Sequence, residues 1–142
     1  MDKNSIELQI KVPNKTEYLS LIGKIGEDIA NELNRYAGNH EILAYHINLA
    51  LTEAMANAIK YASNDKNDNH VDISITTNDY ELTIKVTDYG QGFDINAIPT
   101  PDVNILDEHG RGIFLIKAVM DNVSYSKENN GNVLKMCKKL TA

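Results

Sequence analysis

The sequence predicts an α/β fold, a two-layer sandwich in which a mixed, mainly antiparallel sheet carries helices on one face. Three observations carry that prediction. Apolar and polar residues alternate near 6–12, 71–76 and 82–87, the period of half-buried strands. Apolar residues recur at three- and four-residue intervals over 18–36 and again over 47–62, the period of helices buried on one side. Turn-forming residues at Asn78-Asp79 and at Asn129-Asn130-Gly131 fold neighbouring strands back on one another, which makes antiparallel pairs. With 142 residues the chain has material for a single core, and it is read as one domain, 1–142.

Taken in order, Ile6, Leu8, Ile10 and Val12 alternate with Glu7, Gln9 and Lys11 in a first strand that Pro13 stops. Asn14, with Glu17 three residues on, has the form of an N-cap with its reciprocal acid. The helix it opens carries Tyr18, Ile22, Ile25, Ile29, Leu33 and Tyr36 on one side, with Gly38 as its C′ residue. Gly23 and Gly26 lower helix propensity there by about 1 kcal/mol each relative to Ala. Asn39 caps a second long helix reaching about Ala62, and the polar run Ser63 to Asn69 is a loop. Val71, Ile73 and Ile75 make the next strand; Leu82, Ile84 and Val86 make its partner after the turn. From Phe93 to Glu108 no periodicity is sustained beyond a short turn at Ile95 to Ile98. A loop of that length inside a compact domain is functional or mobile as a rule. A helix over Ile113 to Asp121, with Ile113, Ile116 and Met120 inward, and a last hairpin of Val123 and Tyr125 with Val133 to Lys139 complete the chain.

A formal charge of −6 and a pI near 5.1 argue against nucleic acid or an anionic membrane as the main partner. Cys137 is the single cysteine, so no internal disulfide forms, and no His and Cys stand at zinc spacing. No apolar run approaches the roughly 20 residues of a membrane span. The charged, alternating N-terminus is not a signal peptide, and the expected location is cytoplasmic. His46 reads as a packed helix residue, His40 and His70 as solvated. Cys137 reads as inert packing, and Lys135, Lys138 and Lys139 as a solvated strand face.

Three stretches carry chemistry. In LTEAMANAIKYA, Leu51 to Ala62, helical geometry stacks Glu53 and Asn57 at i,i+4 beside the stripe Ile47, Leu51, Ala54, Ala58 and Ala62. The pair therefore lies on the border between core and a pocket. A carboxylate there can take a proton, and an amide oxygen can ligate a hard cation such as Mg²⁺. In DYGQGFD, Asp88 to Asp94, Asp88 shares the parity of Leu82, Ile84 and Val86. If the strand continues, its carboxylate points toward the helix-covered side and needs a donor; if the strand stops at Thr87, Asp88 opens a turn with Gly90. Gly90 and Gly92 permit positive φ and close approach to a ligand. In HGRGIFLI, His109 to Ile116, Gly110 and Gly112 form a glycine loop feeding a helix N-terminus, whose free N–H groups suit phosphate, with His109 and Arg111 alongside.

In this order and at these separations, the three stretches resemble the N, G1 and G2 boxes of the GHKL ATPase superfamily. They are most similar to the short bacterial anti-sigma factor kinases, over about Ile42 to Leu140. The resemblance implies an ATP-dependent serine/threonine-protein kinase that holds a sigma factor inactive and phosphorylates a small anti-anti-sigma partner. The alternative is a non-catalytic ATP-binding module that holds a partner protein. ATP and Mg²⁺ are the implied cofactors. Asn57 would ligate the metal, Glu53 would be the base, and Asp88 would read adenine. Gly90, Gly92, Gly110 and Gly112 would shape the phosphate cradle, and Arg111 or His109 would face the γ-phosphate. The lid would span about 93–109, with the nucleotide between helices and sheet beneath it. Tyr61 stands where many relatives place His and is expected along the pocket wall. Where the family often has Gly-Thr at the last strand, this chain has Gly131-Asn132. The first strand and first helix are a candidate homodimer surface, as in relatives.

Overall fold

A computed structural model of the chain describes residues 5–33, 36–62, 69–92 and 108–141, with no side-chain description for 108–110. Five strands, β1 (Glu7–Pro13), β2 (His70–Thr77), β3 (Glu81–Asp88), β4 (Asn122–Glu128) and β5 (Gly131–Lys139), form one sheet in the order β1-β2-β3-β5-β4. Every pairing among these strands is antiparallel, so the expected mixed, mainly antiparallel sheet contains no parallel pair here. Three helices cover one face: α1 (Leu19–Asn31), α2 (His40–Lys60) and α3 (Glu108–Val119). Period-two alternation sends Val71, Ile73, Ile75, Leu82, Ile84, Val86, Leu134 and Met136 into the core beneath them.

α2 is the central helix, packed against both α1 and α3 and lying over β3. Asn39 caps it as predicted, its Oδ1 accepting the Ile42 N–H at 3.1 Å. Leu43, Ile47, Leu51 and Met55 are fully buried along it, and Ala44, Ala50, Ala54 and Ala58 between them let neighbours come close. The two α1 glycines serve that approach. A Cβ on Gly26 would stand 2.5 Å from Leu51 Cδ1, and one on Gly23 would stand 2.7 Å from Asn48 Oδ1 and Thr52 Oγ1. The helix accepts their propensity cost because no larger residue fits between α1 and α2.

The first helix departs from its predicted bounds at both ends. It opens as a 3-10 turn, Thr16–Tyr18, with Lys15 and not Asn14 in the N-cap position and no side-chain cap bond. It closes at Asn31, where i→i+3 bonds (Glu32 N–H to Ile29 O at 3.0 Å, Leu33 N–H to Ala30 O at 3.2 Å) tighten the last turn. Leu33 is buried and Tyr36 half-buried without being helical, so Gly38 is not a C′ residue. Near it, His40 is not solvated: its Nε2 meets the Leu33 carbonyl at 2.9 Å and its ring faces Tyr36.

The final hairpin turns on two residues, Asn129 and Asn130, at φ 50° and 70°. Positive φ at both central positions is what a tight hairpin of this hand requires, and Asn tolerates it. Lys138 is not part of a solvated face: its Nζ donates to the Val119 carbonyl at 2.9 Å, closing the C-terminus of α3. Burial in the first place, and the Lys138 charge in the second, hold the His46 imidazole below its ordinary pKa.

Candidate functional site

Glu53 and Asn57 lie one turn apart on α2, Glu53 half-buried and Asn57 buried at 7% exposure. What faces them is Gly112 of α3. A Cβ at Gly112 would stand 2.9 Å from Glu53 Oε2, 3.4 Å from Asn57 Nδ2 and 3.5 Å from Asn57 Oδ1. Gly112 is therefore an opening in the wall of α3 onto an acid and an amide. Asn57 Nδ2 is buried there with no hydrogen-bond partner among the described residues. Burying an amide group without a partner costs roughly 1–3 kcal/mol, so its retention points to a ligand that satisfies it. Both amide atoms face the same gap, so either rotation of the amide brings its oxygen there. An amide oxygen beside a carboxylate fits a hard, oxygen-seeking cation such as Mg²⁺ held with phosphate.

Gly110 and Gly112 do not form a loop ahead of the helix. The helix begins at Glu108, so both glycines, with Arg111 between them, occupy its first turns. The physical reason is the contact just described: α3 approaches α2 so closely that a side chain at Gly112 would displace the Glu53 carboxylate, and packing overrides the low helix propensity of glycine. Arg111 is exposed on α3. His109 belongs to the same turn, and its side chain lies outside the described residues, as does the expected lid from 93 to 107; 108 and 109 are helical.

The second half of the site is the turn after β3. The strand continues through Asp88, which is 6% exposed and has the parity of the helix-covered side. Its Oδ1 accepts two hydrogen bonds, from Gly90 N–H at 3.0 Å and from Asn132 Nδ2 at 3.0 Å. Asn132 Nδ2 also donates to the Gly90 carbonyl at 3.0 Å. Of the two glycines in the turn, Gly92 is the one with positive φ, +76°, and a Cβ there would meet Asn132 Oδ1 at 2.8 Å. Gly92 is thus needed for both conformation and space.

A backbone relay joins the halves. Asn57 O accepts the Tyr61 N–H at 3.0 Å, and Tyr61 O accepts the Gln91 N–H at 3.2 Å. The last turn of α2 therefore holds the glycine turn by its own capping residue, half-buried Tyr61.

Two contributions were not readable from the sequence. Asn132 was noted only as standing where the resembling family often has Thr, and its bond to Asp88, 44 residues away, is found only through the β3–β5 register. Tyr89 is the other. It sits between Asp88 and Gly90 and turns to the opposite side of the sheet, where its Oη donates to Asp72 Oδ2 at 2.5 Å. His70 completes the cluster, its Nε2 3.3 Å from the same oxygen and its ring 5.0 Å from the Tyr89 ring, so His70 is not solvated as expected. The Asp72 hydrogen bond, then burial, then the Asp72 charge push the Tyr89 hydroxyl up to about 12. Among the described residues no helix is long and apolar enough to cross a membrane, and no three His, Cys, Asp or Glu side chains group as a metal site.

Comparison with known proteins places the chain among relatives. The model of the histidine kinase-like ATPase domain matches residues 13–138. Among curated relatives, a serine-protein kinase RsbW of Oceanobacillus iheyensis is 30% identical, with 85% of this chain and 79% of the relative covered. The serine-protein kinase RsbW of Bacillus velezensis is 27% identical over 94% of this chain and 85% of its own length. That of Bacillus subtilis is 27% identical over 87% and 79%. Two solved structures share the fold. The RsbU and RsbW domains of Rv1364c from Mycobacterium tuberculosis match with TM-score 0.63 at 13% identity, over 96% of this chain and 33% of that one. A blue-light activated histidine kinase domain from Erythrobacter litoralis matches with TM-score 0.54 at 18% identity, over 90% of this chain and 61% of that one.

Proposed function

The chain belongs to the histidine kinase-like ATPase domain family, in the branch of the RsbW serine-protein kinases, and on that premise we propose that it is an ATP-dependent serine/threonine-protein kinase acting as an anti-sigma factor. The observation that carries the reading is the convergence of Glu53, the unpartnered amide of Asn57 and the bare backbone of Gly112. An ATPase domain binds ATP. In the proposed site Asn57 would hold a Mg²⁺, which would supply charge neutralisation. Asp88 accepts the exocyclic amine of adenine, and Gly90, Gly92, Gly110 and Gly112 line the phosphate path. Arg111 adds positive charge near the γ-phosphate, where stabilising developing charge is the main source of rate.

The reaction follows from those placements. The hydroxyl oxygen of a partner serine or threonine forms a bond to the γ-phosphorus as the bond from that phosphorus to the bridging oxygen breaks. Glu53 takes the hydroxyl proton, and ADP leaves. The partners are a small anti-anti-sigma protein that is phosphorylated and a sigma factor that is held. Incubating the chain with labelled ATP, Mg²⁺ and such a partner tests the reading. Label on a partner Ser or Thr supports it, and nucleotide binding without transfer reduces the chain to a binding module.

A further inference from the structure

Asp88 can read an amine only if its carboxylate is aimed, and one side chain braces every functional position of the turn that carries it. Asn132 stands opposite Asp88 in the β3–β5 register and is 3% exposed. Its Nδ2 gives one hydrogen to Asp88 Oδ1 and the other to the Gly90 carbonyl, both at 3.0 Å. Its Oδ1 abuts the backbone of Gly92, 2.8 Å from where a Cβ would be. The amide orientation is forced, because rotating it would set its oxygen against two acceptor oxygens. The second donor on Asp88 Oδ1, the Gly90 N–H at 3.0 Å, fixes the rotation of the carboxylate plane.

We propose that Asn132 is a positioning residue that sets purine selectivity by aiming Asp88. This rests on Asp88 being the adenine contact. Both hydrogens of the Asn132 amide are spent within the protein, so it has none to donate to a base. Discrimination then falls on the aimed carboxylate, which when ionised is an acceptor only. Adenine offers it an amine; guanine offers a carbonyl at the same ring position, leaving two acceptors face to face. A threonine at this position, with a single hydroxyl hydrogen, could not hold both Asp88 and Gly90.

The test uses the whole chain and metal-free ADP and GDP, with affinities read by calorimetry. The unaltered chain prefers ADP. Asn132→Leu, similar in volume but without donors, lowers ADP affinity about tenfold or more, the loss expected for a hydrogen bond to a charged group. GDP affinity changes little, so the ADP/GDP ratio collapses. Asn132→Asp supplies a second readout that does not depend on the Leu variant folding. It sets a second carboxylate against Asp88, and the hydrogen bond returns only when the pair holds one proton. Its ADP affinity therefore climbs as pH falls, relative to the unaltered chain. Equal losses for ADP and GDP, or an Asn132→Asp profile that tracks the unaltered chain, overturn the proposal. An unaltered chain that binds no ADP overturns the nucleotide-site reading itself.

Discussion

Gly112 on α3 and Glu53 on α2 stand so close that a single added methyl carbon would lie 2.9 Å from the carboxylate oxygen. Two helices that meet through a glycine and an acid place bare backbone and a carboxylate on one spot, and the first prediction follows. Gly112→Ala replaces a helical glycine with the best helix former, a gain of about 0.5–1 kcal/mol. The clash falls on the flexible end of Glu53, which can swing aside. Thermal stability should hold or rise, while phosphoryl transfer falls by roughly 100-fold because the base is displaced. Melting curves and a transfer assay on the same preparation check both signs, and a variant that keeps full activity rejects the assignment of Glu53.

Glu53→Gln keeps the shape of the side chain and removes its basicity. Nucleotide affinity should be preserved, and transfer should drop by roughly 100-fold or more, the range for loss of a general base. Single-turnover transfer measured beside equilibrium binding separates the two effects. Turnover at the unaltered rate would assign the proton to another group.

Asn57 gives the opposite pattern from an ordinary buried polar residue. Its Nδ2 makes no hydrogen bond among the described residues, so Asn57→Ala removes an unsatisfied group and leaves the free protein about as stable, within roughly 1 kcal/mol. Mg²⁺-dependent nucleotide affinity should disappear. Denaturant titration and nucleotide binding with and without Mg²⁺ are the measurements; an affinity that still responds to Mg²⁺ would contradict the metal role.

The Tyr89–Asp72 contact predicts an alkaline signature. The folded Tyr89 hydroxyl is raised to about 12 from an ordinary value of 10.0. The native state therefore keeps a proton that the unfolded chain releases first, so stability from this group is complete below about pH 10. It is lost as pH climbs from 10 toward 12. Against Tyr89→Phe, the unaltered chain should lose more stability across that window, and its absorbance titration should contain one late phenolate that the variant lacks. Identical alkaline profiles would mean the contact does not persist in solution.

How much of this was readable in advance depends on the range of the force involved. The Asn39 cap, the i,i+4 pairing of Glu53 with Asn57 and the inward parity of Asp88 are local consequences of helical and strand periods, and the structure has all three. The helical state of Gly110 and Gly112 was not readable, because local propensity opposes it, and at Gly112 the contact that favours it comes from another helix. The end of α1 was misplaced for the converse reason. Leu33 and Tyr36 keep the apolar rhythm and pack on the core, but they do so after the helix has closed. Asn132 and Tyr89 needed the sheet register, which brings Asp88 and Asp72 to them across neighbouring strands.

The thread of amides from Asn57 through Tyr61 to Gln91 gives the two recognition halves a shared mechanical fate. If the proposed site is right, fraying of the final turn of α2 would loosen the Asn57 side and the glycine-turn side together, since the Asn57 and Tyr61 carbonyls tie one to the other.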